Sequence, residues 1–162
     1  MKKVNNKGFV LLETLVVTIF ISGVLIFLFS QFSSLSRSYE ESYKYNKVDG
    51  IYALNNISKY ILDDWELYNK IDNNTDDYIN ITDCSIFTNV DYCKKLFEYE
   101  NIDTILVTKN NFDKEKIVDY DDDLLLFIKK IQLKSNTKEK YRLIAKFKDD
   151  TFATMRFGDT NE

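Results

Sequence analysis

Apolar residues form one long run near the start of the chain, whereas the remainder mixes apolar and polar positions more finely. The run extends from Phe9 to Phe32, and Glu13 is its single charged residue. At 1.5 Å per residue, a helix of that length measures about 36 Å, enough to cross a hydrocarbon core of roughly 30 Å with a small tilt. The pattern therefore predicts one membrane-spanning helix.

Beyond Phe32 the apolar positions recur at steps of three and four, which is the repeat of an amphipathic helix. They form one stripe: Val48, Ile51, Leu54, Ile57, Ile61, Trp65 and Tyr68. We predict that helix continues from Phe9 to about Tyr68 and packs through this stripe on a sheet. Gly50 permits two interpretations, a hinge or a glycine tolerated at a crowded contact, since Gly costs roughly 1 kcal/mol relative to Ala inside a helix. We favour the crowded contact.

A polar loop and a β-rich region complete the predicted head. Residues 69–80 are dense in Asn and Asp, which favour turns. The region 81–162 contains four runs with strand composition: Asp103–Thr108, Leu124–Leu133, Tyr141–Lys148 and Thr151–Phe157. We expect the last three runs to form an antiparallel meander.

Alternation within the runs predicts which faces are buried. From Tyr141 to Lys148, apolar and basic residues alternate, which indicates one buried and one solvated face apart from Ile144. The segment Leu124–Ile128 is apolar at every position and fits either a central strand or a buried helical turn, of which we choose the strand. A long N-terminal helix packed on a C-terminal antiparallel sheet is an α+β fold.

Basic residues precede the apolar run and give it an orientation. Lys2, Lys3 and Lys7 stand before it, so the positive-inside rule places the N-terminus in the cytoplasm and the head outside. A secretory signal removed near residues 33–36 is the alternative, but the apolar stretch of such signals is usually about 7 to 15 residues. This run is too long for that interpretation.

The head is acidic. Of the 22 basic and 26 acidic residues, three basic ones precede the run and one acidic one lies in it, leaving 19 and 25, a net charge of −6. An acidic surface repels phosphates, so DNA is not an expected partner. A DNA-binding head would have to use a local group of lysines: Lys94, Lys95, Lys129, Lys130, Lys134, Lys138 and Lys140.

Composition argues against catalysis. His and Pro are absent and Gly occurs four times, so the usual general base and any Gly-rich phosphate loop are missing. No nucleophile and base pair is recognisable, and we expect neither an enzyme nor a cofactor.

Two further groups have a structural and a chemical interpretation. Cys84 and Cys93 lie nine apart in the region expected outside the cytoplasm, which favours a disulfide over two isolated small apolar cysteines. An acidic group could bind calcium, but it lacks EF-hand spacing and we favour carboxylates that face water, with no metal. Its members are Asp119, Asp121, Asp122 and Asp123.

Glu13 is the unusual residue of the apolar run. A charged group at the centre of a spanning helix costs on the order of 2.5 to 3.5 kcal/mol, so it should have a partner or reach the cytoplasmic interface. The surrounding residues are Lys7-Gly8-Phe9-Val10-Leu11-Leu12-Glu13-Thr14-Leu15. They resemble the prepilin peptidase motif of type IV pilins and of the pseudopilins of type II secretion and competence systems: a short basic leader ending in Gly, then Phe, then Glu as fifth mature residue.

The resemblance covers about the first thirty residues and implies a complete course of maturation. Prepilin peptidase would cut between Gly8 and Phe9 at the cytoplasmic face, and Phe9 would become an N-methylated N-terminus. In the assembling filament, Glu13 would pair with the Phe9 amine of a neighbouring subunit. Other pilin subunits, membrane lipid and an inner-membrane assembly platform are the implied partners, and the αβ-roll of pilins agrees with the predicted fold.

The expected organisation is a leader (1–8), a membrane and filament-core helix (9–32) and an exported head (33–162). Many major pilins carry a Pro about twenty residues into the mature helix, whereas this chain has none, which favours a minor pilin or pseudopilin. The expected location is the cell membrane, as a single-pass protein, and then a filament at the cell surface. A DNA-uptake or adhesion subunit that binds a ligand through its head is the alternative function.

Overall fold

A computed structural model describes residues 7–45, 48–133 and 138–159 of the chain. The chain forms two units, which divide between Glu41 and Ser42. Helix α1 (Lys7–Tyr45) makes up the described part of the first unit, and its last residues belong to the second. Its apolar side chains are exposed, Phe29 for example to 75%. Within the described residues, the helical segment that begins at Phe9 is the only one long and apolar enough to cross a membrane.

The second unit alternates helices and strands. In chain order it contains α2 (Val48–Asp63), α3 (Trp65–Asp72), β1 (Tyr78–Asn80), α4 (Val90–Tyr99), β2 (Ile102–Lys109), a 3₁₀ turn (Lys114–Lys116), α5 (Asp122–Lys130), β3 (Glu139–Phe147) and β4 (Phe152–Asp159). The strands form one antiparallel sheet in the order β1-β2-β3-β4. The predicted α+β class, with helix packed on antiparallel sheet, is confirmed.

One face of the sheet is covered by α2, α3 and α4, and we call it the α2 face. The middle of the predicted stripe supplies the contact, since Leu54, Ile57 and Ile61 of α2 are fully buried, whereas Val48, Ile51 and Trp65 are exposed. They pack with strand residues of this face and with buried residues of α3 and α4: Ile105, Val107, Leu143, Ala145, Leu67, Ile71, Cys93 and Phe97. This cluster is the main core of the unit.

The opposite face is covered by α5, and we call it the α5 face. Leu106, Ile144 and Phe152 of the sheet pack there with Leu124 and Phe127 of α5. The prediction of one solvated face is therefore wrong. Arg142 and Lys146, which alternate with the apolar residues of β3, lie under this cover; Arg142 is 5% exposed and the Lys146 side chain 15%.

The predicted strand Leu124–Leu133 is also wrong, because helix α5 occupies most of it. The Asp121 carboxylate caps this helix by accepting a hydrogen bond of 3.0 Å from the Leu124 N–H. Acidic residues stand in the first turn and lysines in the last, as the helix dipole favours. Leu124, Phe127 and Ile128 are buried at steps of three and one, which is a helical pattern. Because this segment is not a strand, the meander consists of β2, β3 and β4.

The boundaries between Asp63 and Asn80 also differ from those predicted. Helix α2 ends at Asp63, and Asp64 begins a separate helix α3 by capping the Leu67 N–H at 3.1 Å. The predicted loop 69–80 is shorter, because α3 reaches Asp72 and β1 takes the last three positions. Helix α4 lies in the region expected to be β-rich.

Gly50 lies at a crowded contact, the interpretation favoured from the sequence. A Cβ atom placed on Gly50 would lie 2.8 Å from Phe147 Cε2 and 2.9 Å from Ala153 Cβ. Such distances are too short for carbon atoms, so α2 approaches β3 and β4 closely only because this position has no side chain.

Candidate functional site

The predicted cleavage and assembly residues lie at the start of α1. The helix begins at Lys7, so Gly8, Phe9 and Glu13 belong to one continuous helical segment. Phe9 is 71% exposed, and Glu13 lies four residues later, which places both on the same side of the helix about 6 Å apart along its axis. Lys2 and Lys3 of the predicted leader lie outside the described residues.

Glu13 is an acid on an otherwise apolar, exposed helix surface. Its neighbours one turn away include Val10, Val16 and Val17, all of them exposed. Among the described residues, none forms an ion pair with Glu13. If the helix enters lipid, the Glu13 carboxylate therefore needs a partner from outside the described residues.

The two cysteines form a disulfide, as predicted. Cys84 precedes α4 and Cys93 lies within it, with Cα atoms 5.9 Å apart, and both residues are fully buried in the α2-face core. Closing a loop of this size stabilises a fold by roughly 2 to 3 kcal/mol. The bond ties α4 to the irregular segment before it.

The acidic group around α5 has structural roles. Asp121 caps the helix and its Oδ2 lies 3.2 Å from Lys146 Nζ, while Asp123 pairs with Lys44 at 3.0 Å. Asp119 and Asp122 are exposed. In the described part of the chain, no three acidic, Cys or His side chains are arranged to hold a metal ion.

The lysines proposed as a local basic patch are spread over the head. Lys94 and Lys95 lie on α4, over the α2 face, whereas Lys129 and Lys130 lie on α5, over the opposite face. Two others, Lys138 and Lys140, lie before and within β3, and Lys134 lies outside the described residues. Lys140 forms an ion pair with Asp72. The fold places the lysine pair of α4 and the lysine pair of α5 on opposite sides of the sheet, so these four do not form one surface.

A polar cluster that the sequence did not indicate joins α3 to β3. The Asp72 carboxylate accepts hydrogen bonds from Lys140 Nζ and from the Tyr141 hydroxyl. The first of these bonds, and then the second, lower the pKa of Asp72. Burial, and then the hydrogen bond to Asp72, raise the pKa of Tyr141. The cluster holds the end of α3 against the sheet.

Arg142 is a second residue whose position the sequence did not indicate. Its guanidinium lies under α5 and makes long hydrogen bonds of 3.5 Å to Thr154 Oγ1 and of 3.4 Å to Asn110 Oδ1 and to the Gln132 carbonyl. Its Nε has no partner among the described residues. Burial, and then the nearby charge of Arg156, lower the pKa of Arg142. The alternation of apolar and basic residues along β3 predicted that Arg142 is exposed to solvent.

No protein-family model, curated protein or solved structure matches this chain. The described residues define an α+β head with one disulfide and a separate unit containing an apolar helix long enough to cross a membrane.

Proposed function

We propose that this chain is a minor pilin or pseudopilin, a non-enzymatic subunit of a type IV pilus or a related type II secretion or competence filament. The observation that carries the proposal is Glu13, a single acid in a long apolar helix, one turn after a Gly8-Phe9 junction. Prepilin peptidase would cut at that junction. The helix would then hold the subunit in the membrane and later in the filament core.

Charge pairing would explain the position of Glu13 in the apolar helix. An isolated carboxylate in lipid is costly, and a carboxylate paired with a cation costs much less. Cleavage before Phe9 creates such a cation, the new α-amine. Because Glu13 lies about 6 Å along the helix axis from Phe9, a neighbouring subunit can present its amine to Glu13 at one relative height. Pairing would therefore set the register of subunit addition.

The head suits a structural role in this proposal. Its disulfide is consistent with exposure to an oxidising exterior, and its acidic composition with a surface that does not bind nucleic acid. The chain would be a single-pass membrane protein with a cytoplasmic N-terminus before assembly, and its head would lie on the filament surface afterwards. Its partners would be the peptidase, the assembly platform, lipid and other subunits.

The substitution Glu13→Gln tests the proposed pairing. It removes the negative charge and keeps the size of the side chain, so membrane insertion and leader removal should persist while incorporation into filaments falls sharply. Sheared filaments and membranes would be compared by immunoblotting in cells that assemble wild-type subunits. Thr14→Val is the matched control, since it removes the hydroxyl that donates to the Leu11 carbonyl at 3.0 Å without changing charge.

The control should incorporate as the wild type does. If Glu13→Gln is trimmed normally and enters filaments as efficiently as the control, charge pairing does not drive assembly and the proposal loses its mechanism.

A further inference from the structure

Strand β4 leaves a long open edge on the sheet. It has eight residues and, within the part of the chain that the structure describes, pairs with β3 alone, in a register without a bulge. Proteins usually protect such edges by short strands, bulges, proline or charge, because unpaired backbone groups bind other strands. Between Phe152 and Gly158 the only charge is Arg156, whose guanidinium lies 3.9 Å from Glu139 of β3.

The pairing with β3 fixes which groups of β4 point outward. The Phe147 N–H donates to the Thr151 carbonyl at 2.9 Å, so the backbone groups of every second residue from Thr151 face β3. Those of Thr154 and Arg156 face away from the sheet. Both residues are partly exposed, and no described segment forms a backbone hydrogen bond with them.

Strand β1 forms the opposite edge of the sheet. The Ile81 N–H donates to the Ile105 carbonyl at 3.1 Å, so by the same alternation the backbone groups of Tyr78 and Asn80 point away from β2. A groove of about 600 Å³ lies beside this edge, lined by residues 74–80 and by Lys116. It offers room for an added backbone.

We propose that neighbouring copies of the head join edge to edge, β4 of one copy pairing with β1 of the next. The proposal rests on the filament function proposed above. Each neighbouring pair in the sheet is antiparallel, so β4 runs opposite to β1, and two copies in the same orientation meet as antiparallel strands. Such a head-to-tail contact repeats without limit, whereas β4 paired with β4 would form a closed dimer.

Side-chain chemistry selects one register. Met155 and Ile79 both lie on the α2 face, and setting them opposite one another places Arg156 against the Tyr78 ring and Thr154 against the Asn80 amide. Apolar then meets apolar and cation meets aromatic ring, while Thr154 and Asn80 keep the hydrogen bonds that they make within the head. A shift of the β4–β1 register by two residues in one direction places Met155 opposite the carboxylate of Asp77. A shift in the other direction carries Thr154 beyond the end of β1.

Cysteine cross-linking of the full-length chain in membranes tests this register. Two differently tagged copies would be co-expressed, one with Met155→Cys and one with Ile79→Cys. Met155 and Ile79 would form a pair without hydrogen bonds, with Cα atoms about 4.5 Å apart, within reach of a disulfide. The native cysteines are buried and already bonded to each other. The expected result is a mixed disulfide-linked dimer on a non-reducing gel.

The control pairs Met155→Cys with Tyr99→Cys, on the exposed side of α4. Cross-linking no stronger than this control overturns the proposal. Homodimers of Met155→Cys alone, in excess of mixed dimers, also overturn it, because they indicate β4 paired with β4. Mass analysis of the same samples reports leader removal. A trimmed chain without the cross-link contradicts edge pairing but not the filament function, and an untrimmed chain contradicts the filament function.

A second comparison separates backbone pairing from side-chain contact. Arg156→Pro, added to the Met155→Cys copy, removes the outward N–H but none that β3 uses, whereas Arg156→Ala keeps that N–H. The cross-link should be lost with the proline and retained with the alanine. Loss with both, or with neither, would show that the backbone of β4 does not carry the contact.

Discussion

At the scale of single residues, Asp72 shows how the exposed end of helix α3 is fixed to the sheet. Its hydrogen bonds from Lys140 and Tyr141 lower its pKa, so its contribution favours folding when the carboxylate is ionised. That contribution is fully present above the ordinary pKa of about 3.9 and is lost as pH falls through the lower folded value.

Asp72→Asn should therefore lower the thermal midpoint of the head at neutral pH, and the difference from wild type should shrink as pH falls below about 4. Thermal unfolding of the full chain in detergent, followed by circular dichroism from pH 7 to pH 3, measures it. Asp63→Asn is the control, since Asp63 is exposed and outside the ion pairs of the described residues. A difference independent of pH would exclude the ionised carboxylate as its source.

Single residues also mark where sequence reasoning succeeds and fails. The disulfide of Cys84 and Cys93 followed from compartment and spacing, which are properties of the chain itself. The burial of Arg142 did not follow, because period-2 alternation tells which residues share a face but not what covers that face. The Asp72 cluster joins residues nearly seventy positions apart and has no local signal.

At the scale of elements, the contact between α2 and the sheet is limited by one glycine. Gly50→Ala would gain about 1 kcal/mol of helix propensity, but inserting a methyl group against Phe147 and Ala153 costs about 1 to 3 kcal/mol. We therefore expect a net loss of unfolding free energy of up to about 2 kcal/mol. Urea unfolding of the full chain in detergent measures this change.

Lys59→Ala on the exposed side of the same helix is the matched control, and its effect should stay within about 0.5 kcal/mol. Stabilisation by Gly50→Ala would contradict the crowded contact and support the alternative, a hinge at this position.

Helices and strands were predictable where the spacing of the apolar residues and the length of the segment indicated the same type of structure. The apolar run and the helical stripe gave α1 and α2, and alternation gave β3 and β4 almost to the residue. Helix α5 was mistaken for a strand because its run is apolar at every position, although Asp121 ahead of it and the lysines at its end are ordinary helix signals. Helix α4 was missed because it buries few residues, Cys93 and Phe97 among them.

At the scale of the whole molecule, the sheet of the head is covered on both faces. The cover of the α5 face comes from the connection between β2 and β3, of which the segment Leu124–Leu133 was predicted as a strand of the sheet itself. The predicted α+β fold class is nevertheless correct, because the α2 stripe and strands β2 to β4 are sufficient to require a helix packed on an antiparallel sheet. The filament function remains a proposal drawn from the first residues of the chain.

The mass of the mature chain tests that proposal most directly. The protein would be purified from membranes of cells with an active prepilin peptidase and analysed by intact mass spectrometry and N-terminal sequencing. We predict a chain that lacks Met1 to Gly8 and begins with a methylated Phe9. A chain that retains its first eight residues under these conditions, while a known prepilin in the same cells is trimmed, would contradict the pilin-like identity.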